Sequence, residues 1–159
     1  MPVFANGNIL THADIARCLV ETRADAVMSA EGQLYNAALF APAPTSSGGL
    51  HLRHTDLALE YLDTVSSQKT PTPGIKGHLF KLLRPALARE VDLRNTLGRL
   101  CGPDLKLYYD VVREMKRRMD RDAEAAGEDV TEGAKFPHWV AQPYVRPLPV
   151  TESGLQCAE

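Results

Sequence analysis

A short apolar run lies at residues 2–5 and is broken by the polar turn Asn6-Gly7-Asn8. Thr11 follows with Asp14 three residues later, the spacing of a helix N-cap and its first-turn acid. Apolar residues then recur at i, i+3 and i+4, which places them on one helical face: Ile15, Cys18 and Leu19. The pattern predicts a strand, a turn and a capped helix that ends near Thr22.

The same pattern is repeated once. A second apolar run at residues 24–29 ends at the turn-like Glu31-Gly32, and residues 34–40 are long enough for a short helix. The order strand, helix, strand, helix predicts two parallel strands joined by a right-handed crossover. Because two strands are not stable alone and leave open edges, we expect neighbours to cover them or the protein to self-associate through those edges.

Pro, Ser and Gly at residues 41–50 have the composition of a linker. Apolar spacing over residues 51–127 then predicts about four helices, the third with Asp92 as N-cap and the fourth ending at Gly127. Pro85 either kinks the second helix or begins a new turn. The fold class is therefore α/β plus all-α: two β/α units followed by a helical bundle, with residues 128–159 as an extended acidic and Pro/aromatic tail.

The composition is that of an ordinary soluble globular protein, with 44% hydrophobic and 24% charged residues among 159. That length excludes a complete eight-stranded β/α barrel, which needs roughly 250 residues. With no apolar stretch of about 20 residues and no signal-peptide pattern, we expect no membrane association and a cytoplasmic location, with the nucleus as an additional one. The spacing of His and Cys predicts no metal site and free thiols.

Charge is segregated along the chain. Residues 69–121 carry 13 Lys and Arg against 6 Asp and Glu, whereas residues 1–50 and 128–159 are both acidic. A basic block between acidic ends indicates either a surface for a polyanion or a solvated helical surface that favours Lys and Arg, and charge alone does not separate the two.

Two turns have the character of anion sites. Asn6-Gly7-Asn8 and Ser29-Ala30-Glu31-Gly32 both follow predicted strands, where β/α proteins place their ligand loops. Gly allows backbone N–H groups to approach a phosphate. For each turn alone, the conformational needs of a strand-to-helix connection are the better explanation, and the pair in consecutive units is the stronger indication of an anion site.

Several segments, in this order, resemble the C-terminal part of tRNA-dihydrouridine synthases of the eukaryotic position-16/17 type. They are Phe4-Ala-Asn-Gly-Asn-Ile9, Glu21-Thr-Arg-Ala-Asp-Ala-Val-Met-Ser-Ala-Glu-Gly32, Asn36, Phe40, Ile75-Lys-Gly-His-Leu-Phe-Lys81 and His138-Trp-Val-Ala-Gln-Pro-Tyr-Val-Arg-Pro147. The resemblance implies that residues 1–40 are the last two β/α units of an FMN-binding TIM barrel and residues 51–127 a tRNA-binding helical domain. It implies reduction of the C5=C6 bond of a tRNA uridine by hydride from reduced FMN, which NADPH recharges.

Carried over by position, Asn6, Gly7 and Asn8 match the first FMN phosphate loop of these enzymes, and Ala30 and Glu31 match the second. Other branches of the family have Gly-Arg at the second loop, so a phosphate there would be bound by backbone N–H groups, with the carboxylate turned away. The catalytic cysteine of these enzymes lies in a mid-barrel segment that this sequence does not contain. No catalytic residue is therefore assigned, and Cys18 is expected to be a small core residue.

The resemblance favours RNA contact by basic residues on the second and fourth predicted helices. These residues are Lys76, His78, Lys81, Arg84, Arg113, Lys116, Arg117 and Arg121. The alternative is ordinary helix solubilisation through i, i+4 pairs such as Glu114 with Arg118. Three hypotheses follow: a C-terminal fragment of an FMN- and NADPH-dependent synthase that is inactive alone, a non-catalytic tRNA-binding module, and a small structural protein.

Overall fold

The computed structural model describes residues 1–41, 52–68, 70–127 and 136–144. The N-terminal unit contains β1 (Phe4–Asn6), α1 (His12–Thr22), β2 (Ala26–Met28) and α2 (Glu31–Tyr35). The helical unit contains α3 (His54–Ser67), α4 (Thr72–Leu82), α5 (Arg84–Leu87), α6 (Val91–Arg99) and α7 (Leu105–Ala126). Within these ranges, no helix combines the length and the apolar character needed to cross a membrane. Residues 42–50 of the predicted linker and most of the predicted tail lie outside the described residues.

The two strands pair in parallel, as predicted. Phe4 lies opposite Ala26 and Asn6 opposite Met28, with α1 as the connection between the strands. The pairing is extended at the start of the strands, because Val3 N donates to Asp25 Oδ2 over 2.7 Å and Asp25 N donates to Val3 O over 2.9 Å. Parallel pairing brings the carboxyl ends of both strands to the same edge.

Asp14 supplies the cap of α1. Its Oδ2 accepts from Thr11 N over 2.7 Å and from Leu10 N over 3.1 Å. The Thr11 hydroxyl donates to the same oxygen over 2.9 Å, and the Thr11 side chain faces the Asp14 backbone N–H, so the two residues form a reciprocal capping box. The predicted apolar face of α1 is only half-buried, since the helix packs on two strands of three residues each.

The second helix begins earlier than predicted. The sequence pattern predicts residues 34–40, but α2 spans Glu31–Tyr35. The chain enters the helix directly after β2 because Gly32 is buried against Ile9, where an added Cβ would lie 2.2 Å from the Ile9 carbonyl oxygen. Asn36 ends the helix, and its side chain accepts from Ala38 N over 3.1 Å to form a turn.

The helical unit has one apolar core, formed mainly where α3 packs on α7 and α4. Apolar spacing along α7 predicts a buried side formed by Leu105, Tyr108, Val112, Met115 and Met119; the last four are buried, and Leu105 is half-buried. Arg113, Arg117 and Arg121 are exposed on the opposite side. Together, these contacts fix the orientation of the long helix and of the basic side chains that it carries.

The prediction of about four helices needs correction, because residues 54–126 form five. Pro85 lies in the first turn of α5, where its missing N–H costs nothing, so α4 ends at Leu82. Asp92 is not the N-cap of α6: the N-cap is Glu90, two residues earlier, and Asp92 accepts hydrogen bonds from Arg118 instead.

Residues 136–144, which we call the C-terminal strap, lie across the helical unit. Ala141 N donates to Leu52 O over 2.8 Å, and Val140 forms an antiparallel bridge with Arg53. His138 Nδ1 accepts from Arg89, 3.0 Å away, because a guanidinium can only donate. Its Nε2–H then donates to Asp122 over 3.0 Å, so one imidazole joins the strap to α7 and to the segment after α5.

Candidate cofactor cleft and nucleic-acid interface

The two predicted anion turns come together in one cleft of about 220 Å³. The first turn, Asn6-Gly7-Asn8, follows β1, and the second, residues 29–32, follows β2 and starts α2. They are joined directly, because Ser29 Oγ donates to Ile9 O over 2.8 Å. Parallel pairing of β1 with β2 therefore places both turns on the same side of the sheet.

Backbone conformation explains the residue types of the first turn. Gly7 has a φ of 142°, which L side chains rarely adopt, and Asn8 has a left-handed φ of 51°, which Asn tolerates better than most residues. An added Cβ at Gly7 would meet no atom within 4 Å, so the glycine is required by its conformation and leaves open space at the cleft.

The cleft suits the end of a ligand rather than a whole cofactor. Its volume is below the roughly 300–1,000 Å³ of typical small-molecule sites. Its lining contains two Asn side chains and one carboxylate, that of Glu31, but no cation. Anion binding here would rest on backbone N–H and Asn amide groups, as the sequence analysis expects for the second turn.

The basic residues of α7 are largely neutralised by carboxylates. Lys116 Nζ lies 2.8 Å from Asp56 and 3.2 Å from Asp120. Arg117 and Arg121 pair with Glu114 and Asp122, with shortest distances of 2.6 and 3.1 Å. The exposed Arg113 guanidinium instead lies over the Tyr109 ring, 5.2 Å from its centroid.

Arg118, which is not among the predicted RNA contacts, is the centre of an ion-pair network. It pairs with Glu90, with Asp92 at 2.7 Å and with Glu114 at 2.9 Å, and the last is the i, i+4 pair of the solubilisation alternative. Hydrogen bonds from Arg117 and Arg118 lower the pKa of Glu114 to about 2. The outer side of α7 thus carries cations whose charge is used within the fold.

The predicted cations of α4 and α5 have separate surroundings. Lys76 Nζ donates to the carbonyl oxygens of Gly98 and Leu100, at 3.0 and 3.1 Å, and so caps the end of α6. His78 contacts Tyr61, with ring centroids 5.3 Å apart. The sequence pattern places Arg84 on the same predicted helix as His78 and Lys81, but α4 ends at Leu82 and Arg84 belongs to the next helix.

Lys81 and Arg84 line a groove of about 430 Å³ where α2, α4, α5 and α6 meet; we call it the α4–α6 groove. Its lining consists of Tyr35, Gly77, Phe80, Lys81, Arg84, Leu87, Ala88 and Arg94. Among the residues that the structure describes, this lining includes three cations, two aromatic rings and no carboxylate. Arg94 is not among the predicted RNA contacts, although its position between the buried Leu93 and Leu97 marks it as an outward residue of α6.

Arg84 also joins the two units. Its guanidinium carbon lies 3.4 Å from the centroid of the Tyr144 ring in the C-terminal strap and 5.9 Å from that of Tyr35 in α2. The two tyrosine rings are themselves 5.5 Å apart. One cation therefore contacts the N-terminal unit and the strap as well as its own helix.

A family model described as Dihydrouridine synthase (Dus) matches residues 1–97. The chain belongs to the dihydrouridine synthase family. It is 40% identical to a tRNA-dihydrouridine(16/17) synthase, NAD(P)(+), of Schizosaccharomyces pombe, over 93% of this chain and 41% of that protein. A Mus musculus relative named as like this synthase is 38% identical, over 94% and 30%, and a Saccharomyces cerevisiae synthase is 35% identical, over 91% and 39%. No solved structure matches.

The chain spans about 30 to 41% of the length of these curated relatives. The dihydrouridine synthase match includes both turns of the cleft and every residue of the α4–α6 groove, whereas α7 lies beyond residue 97. Across the residues of this chain that the structure describes, no group of three or more His, Cys, Asp or Glu side chains could hold a metal ion. Cys18 is half-buried and Cys101 exposed; Cys157 lies outside the described residues.

Proposed function

We propose that this chain is the C-terminal part of an FMN-dependent tRNA-dihydrouridine synthase. In this proposal residues 1–40 are the last two β/α units of a TIM barrel, and residues 51–127 bind the tRNA substrate. When bound, FMN supplies the hydride that reduces the C5=C6 bond of a uridine, with NADPH as reductant. The observation that carries the proposal is the joining of two turns, from consecutive parallel β/α units, in one cleft.

The cleft would hold the phosphate end of FMN. Gly7 leaves open space for close approach, and Asn6 and Asn8 offer amide groups on the same side. On the other side, Ala30 and Glu31 would contribute backbone N–H groups from the start of α2, where donors have no intrahelical acceptor. The limited volume fits this role, because the flavin ring would be held by groups outside the cleft.

We propose that this chain alone forms no dihydrouridine. The catalytic cysteine that the family resemblance implies belongs to a segment absent from this sequence. Neither described cysteine lines the cleft: Cys18 lies on α1, and Cys101 lies between α6 and α7. Incubation of the purified protein with FMN, NADPH and tRNA should give no dihydrouridine above a control without enzyme.

Comparing FMN with riboflavin tests the cleft, because the two flavins differ by the phosphate. We expect flavin fluorescence titration to give tighter binding of FMN. Gly7→Ala should weaken FMN binding about tenfold, since it strains the turn at a φ of 142°. Gly102→Ala is the matched control: Gly102 has a φ of 92°, its added Cβ also meets open space, and it lies outside the cleft. Equal affinity for the two flavins would contradict the proposed phosphate site.

A non-catalytic tRNA-binding module is the second candidate, favoured by the helical core. That core is formed by buried residues between Ala58 and Met119, without a buried side chain from residues 1–41. Protein that shifts tRNA in a salt-dependent gel assay but binds no flavin would select this candidate. Protein that binds neither would leave only the structural role.

The proposal also includes self-association through the N-terminal unit. Phe4 and Met28 on the strands are 61% and 51% exposed, and Val3 beside them is 55% exposed. Exposed apolar side chains on open parallel strands favour contact between copies. Light scattering after gel filtration should show a concentration-dependent dimer, which Phe4→Lys should reduce.

A further inference from the structure

We propose that the α4–α6 groove is a subsite for one unpaired nucleotide of an RNA. The inference rests on the proposed function, because it gives the helical unit a specific contact with its RNA. It goes beyond that function by separating the basic residues that bind RNA from those that stabilise the fold, and by naming the form of RNA that the groove takes.

The cations of α7 and those of the α4–α6 groove differ in whether a carboxylate pairs with them. On α7, Lys106, Lys116, Arg117, Arg118 and Arg121 each have a carboxylate within 3.2 Å. In the α4–α6 groove, neither Lys81 nor Arg94 pairs with a carboxylate of the described chain, and none lines the groove with them. Their charge is therefore available to an external anion without first breaking an ion pair.

The second argument is the combination of rings and cations in one concavity. Tyr35 and Phe80 are exposed to the same groove as Lys81, Arg84 and Arg94. Proteins bind unpaired bases by stacking them on aromatic rings or on guanidinium planes, and they bind the adjoining phosphate by Lys or Arg. At about 430 Å³ the groove has the size of a small-molecule site, sufficient for a single nucleotide.

The third argument is preorganisation. Arg84 lies against the Tyr144 ring at 3.4 Å, so its guanidinium plane is already oriented before a ligand arrives. Lys76 fixes α6 beside α4 through the carbonyl oxygens of Gly98 and Leu100, which holds the two walls of the groove together. A duplex presents its phosphates along an outer surface and keeps its bases stacked inside. The aromatic rings of the groove would therefore not reach the bases of a duplex, and an unpaired base fits the groove better.

Gly77 provides a steric test that changes neither charge nor core. It lies in the groove wall on α4, and an added Cβ would meet no atom within 4 Å. Gly77→Met should therefore fold at least as stably, since Met has the higher helix propensity, while its side chain fills the groove. Gly74→Met is the matched control, because Gly74 lies on the same helix with the same open space but outside the groove.

The assay uses the full 159-residue chain and fluorescently labelled RNA. The probes are a whole tRNA, a five-nucleotide single strand and a blunt duplex of equal phosphate number. We expect Gly77→Met to raise the Kd for the tRNA and for the single strand about tenfold, and Gly74→Met to leave both unchanged. The wild-type protein should bind the single strand more tightly than the duplex.

Charge variants test the phosphate contact. Lys81→Ala and Arg94→Ala should each weaken binding and lower the salt slope by about 0.7, the contribution of one phosphate in a single strand. Lys106→Ala removes the same charge from an exposed ion pair on α7 and should change neither quantity. Phe80→Leu keeps apolar packing but removes the ring, and should weaken binding without changing the salt slope.

The outcomes separate the subsite from the proposed function. Wild-type protein that binds tRNA with no effect of Gly77→Met overturns the subsite and leaves tRNA binding intact. Equal losses in Gly77→Met and Gly74→Met, or a preference for the duplex, likewise overturn it. Wild-type protein that binds no RNA overturns both the tRNA-binding part of the proposed function and the subsite. The flavin titration would still test the phosphate cleft, because it does not depend on RNA binding.

Discussion

The ring of His54 donates a hydrogen bond from Nε2 to the main-chain oxygen of His138, 2.8 Å away. His54 is fully buried at the start of α3, and His138 belongs to the C-terminal strap. The carbonyl oxygen can only accept, so the neutral ring carries its proton on Nε2, and Nδ1 has no partner within the described residues. Burial lowers the pKa of His54 to about 4.

This lowered pKa predicts acid destabilisation. The unfolded chain binds the His54 proton near pH 6.5 and the folded chain only near pH 4, so stability is complete above pH 6.5 and falls as the pH drops toward 4. The loss is about 3 kcal/mol from this group. Urea unfolding between pH 4 and 7 should show that His54→Gln reduces the pH dependence by this amount. An unchanged dependence would contradict the assignment.

The strap should loosen when its side-chain anchor is removed. His138→Ala deletes the contacts with Asp122 and Arg89 and should cost about 1–3 kcal/mol, because both partners are charged. Trp139, the single tryptophan, packs on the core, with its ring centroid 4.9 Å from that of His138. Its emission should shift to longer wavelength in this variant. His78→Ala is the control: it removes a histidine that contacts Tyr61 rather than the strap, and it should leave the Trp139 emission unchanged.

Removing Arg118 should destabilise the packing of α7 on α6. Arg118→Met keeps the apolar stem but leaves Glu90, Asp92 and Glu114 without their shared cation. We expect a loss of about 1–2 kcal/mol at pH 7, because Arg118 is only partly exposed, and a smaller loss as the pH falls from about 4.5 toward 2, where Glu114 becomes protonated in the folded protein. Lys106→Met, at an exposed pair, should change the urea midpoint by less than the error of measurement.

Gly32 should tolerate no side chain. An added Cβ would lie 2.2 Å from the Ile9 carbonyl oxygen and 2.9 Å from Ser29 Oγ, so one of the two turns of the cleft must move. Gly32→Ala should cost more than about 2 kcal/mol and abolish FMN binding. Gly74→Ala, in open space on α4, should instead stabilise the protein by about 0.4–1 kcal/mol. Retained FMN affinity in Gly32→Ala would exclude a role for this close approach.

Local patterns predict much of this fold because they act within one helix or strand. Apolar spacing identifies the buried side of α7, and the pair Thr11 and Asp14 marks the start of α1. The errors occur where a distant residue decides. Asp92 has the chemistry of an N-cap, but Arg118, 26 residues away in sequence, takes its carboxylate. The early start of α2 depends on the approach of Gly32 to Ile9, which no local pattern indicates.

The candidate sites show the same division. The two turns of the cleft can be predicted, since parallel strands place their carboxyl ends together. Charge spacing on α7 identifies which side chains point outward but not their partners: it predicts Lys116 as an RNA contact but does not indicate that Asp56 and Asp120 lie beside it. Arg94 escapes sequence reasoning because it joins Lys81 only when α6 packs beside α4.

RNA binding and the arrangement of the protein around Arg84 should respond differently to ionic strength. Exposed phosphate contacts weaken steeply as counterions accumulate, whereas a cation held against the Tyr144 ring at 3.4 Å is screened much less. Raising the salt concentration should therefore release nucleic acid while the N-terminal unit, the helices and the strap keep their arrangement. A high-salt wash would then yield free protein in its binding-competent shape, ready to take up RNA again upon dilution.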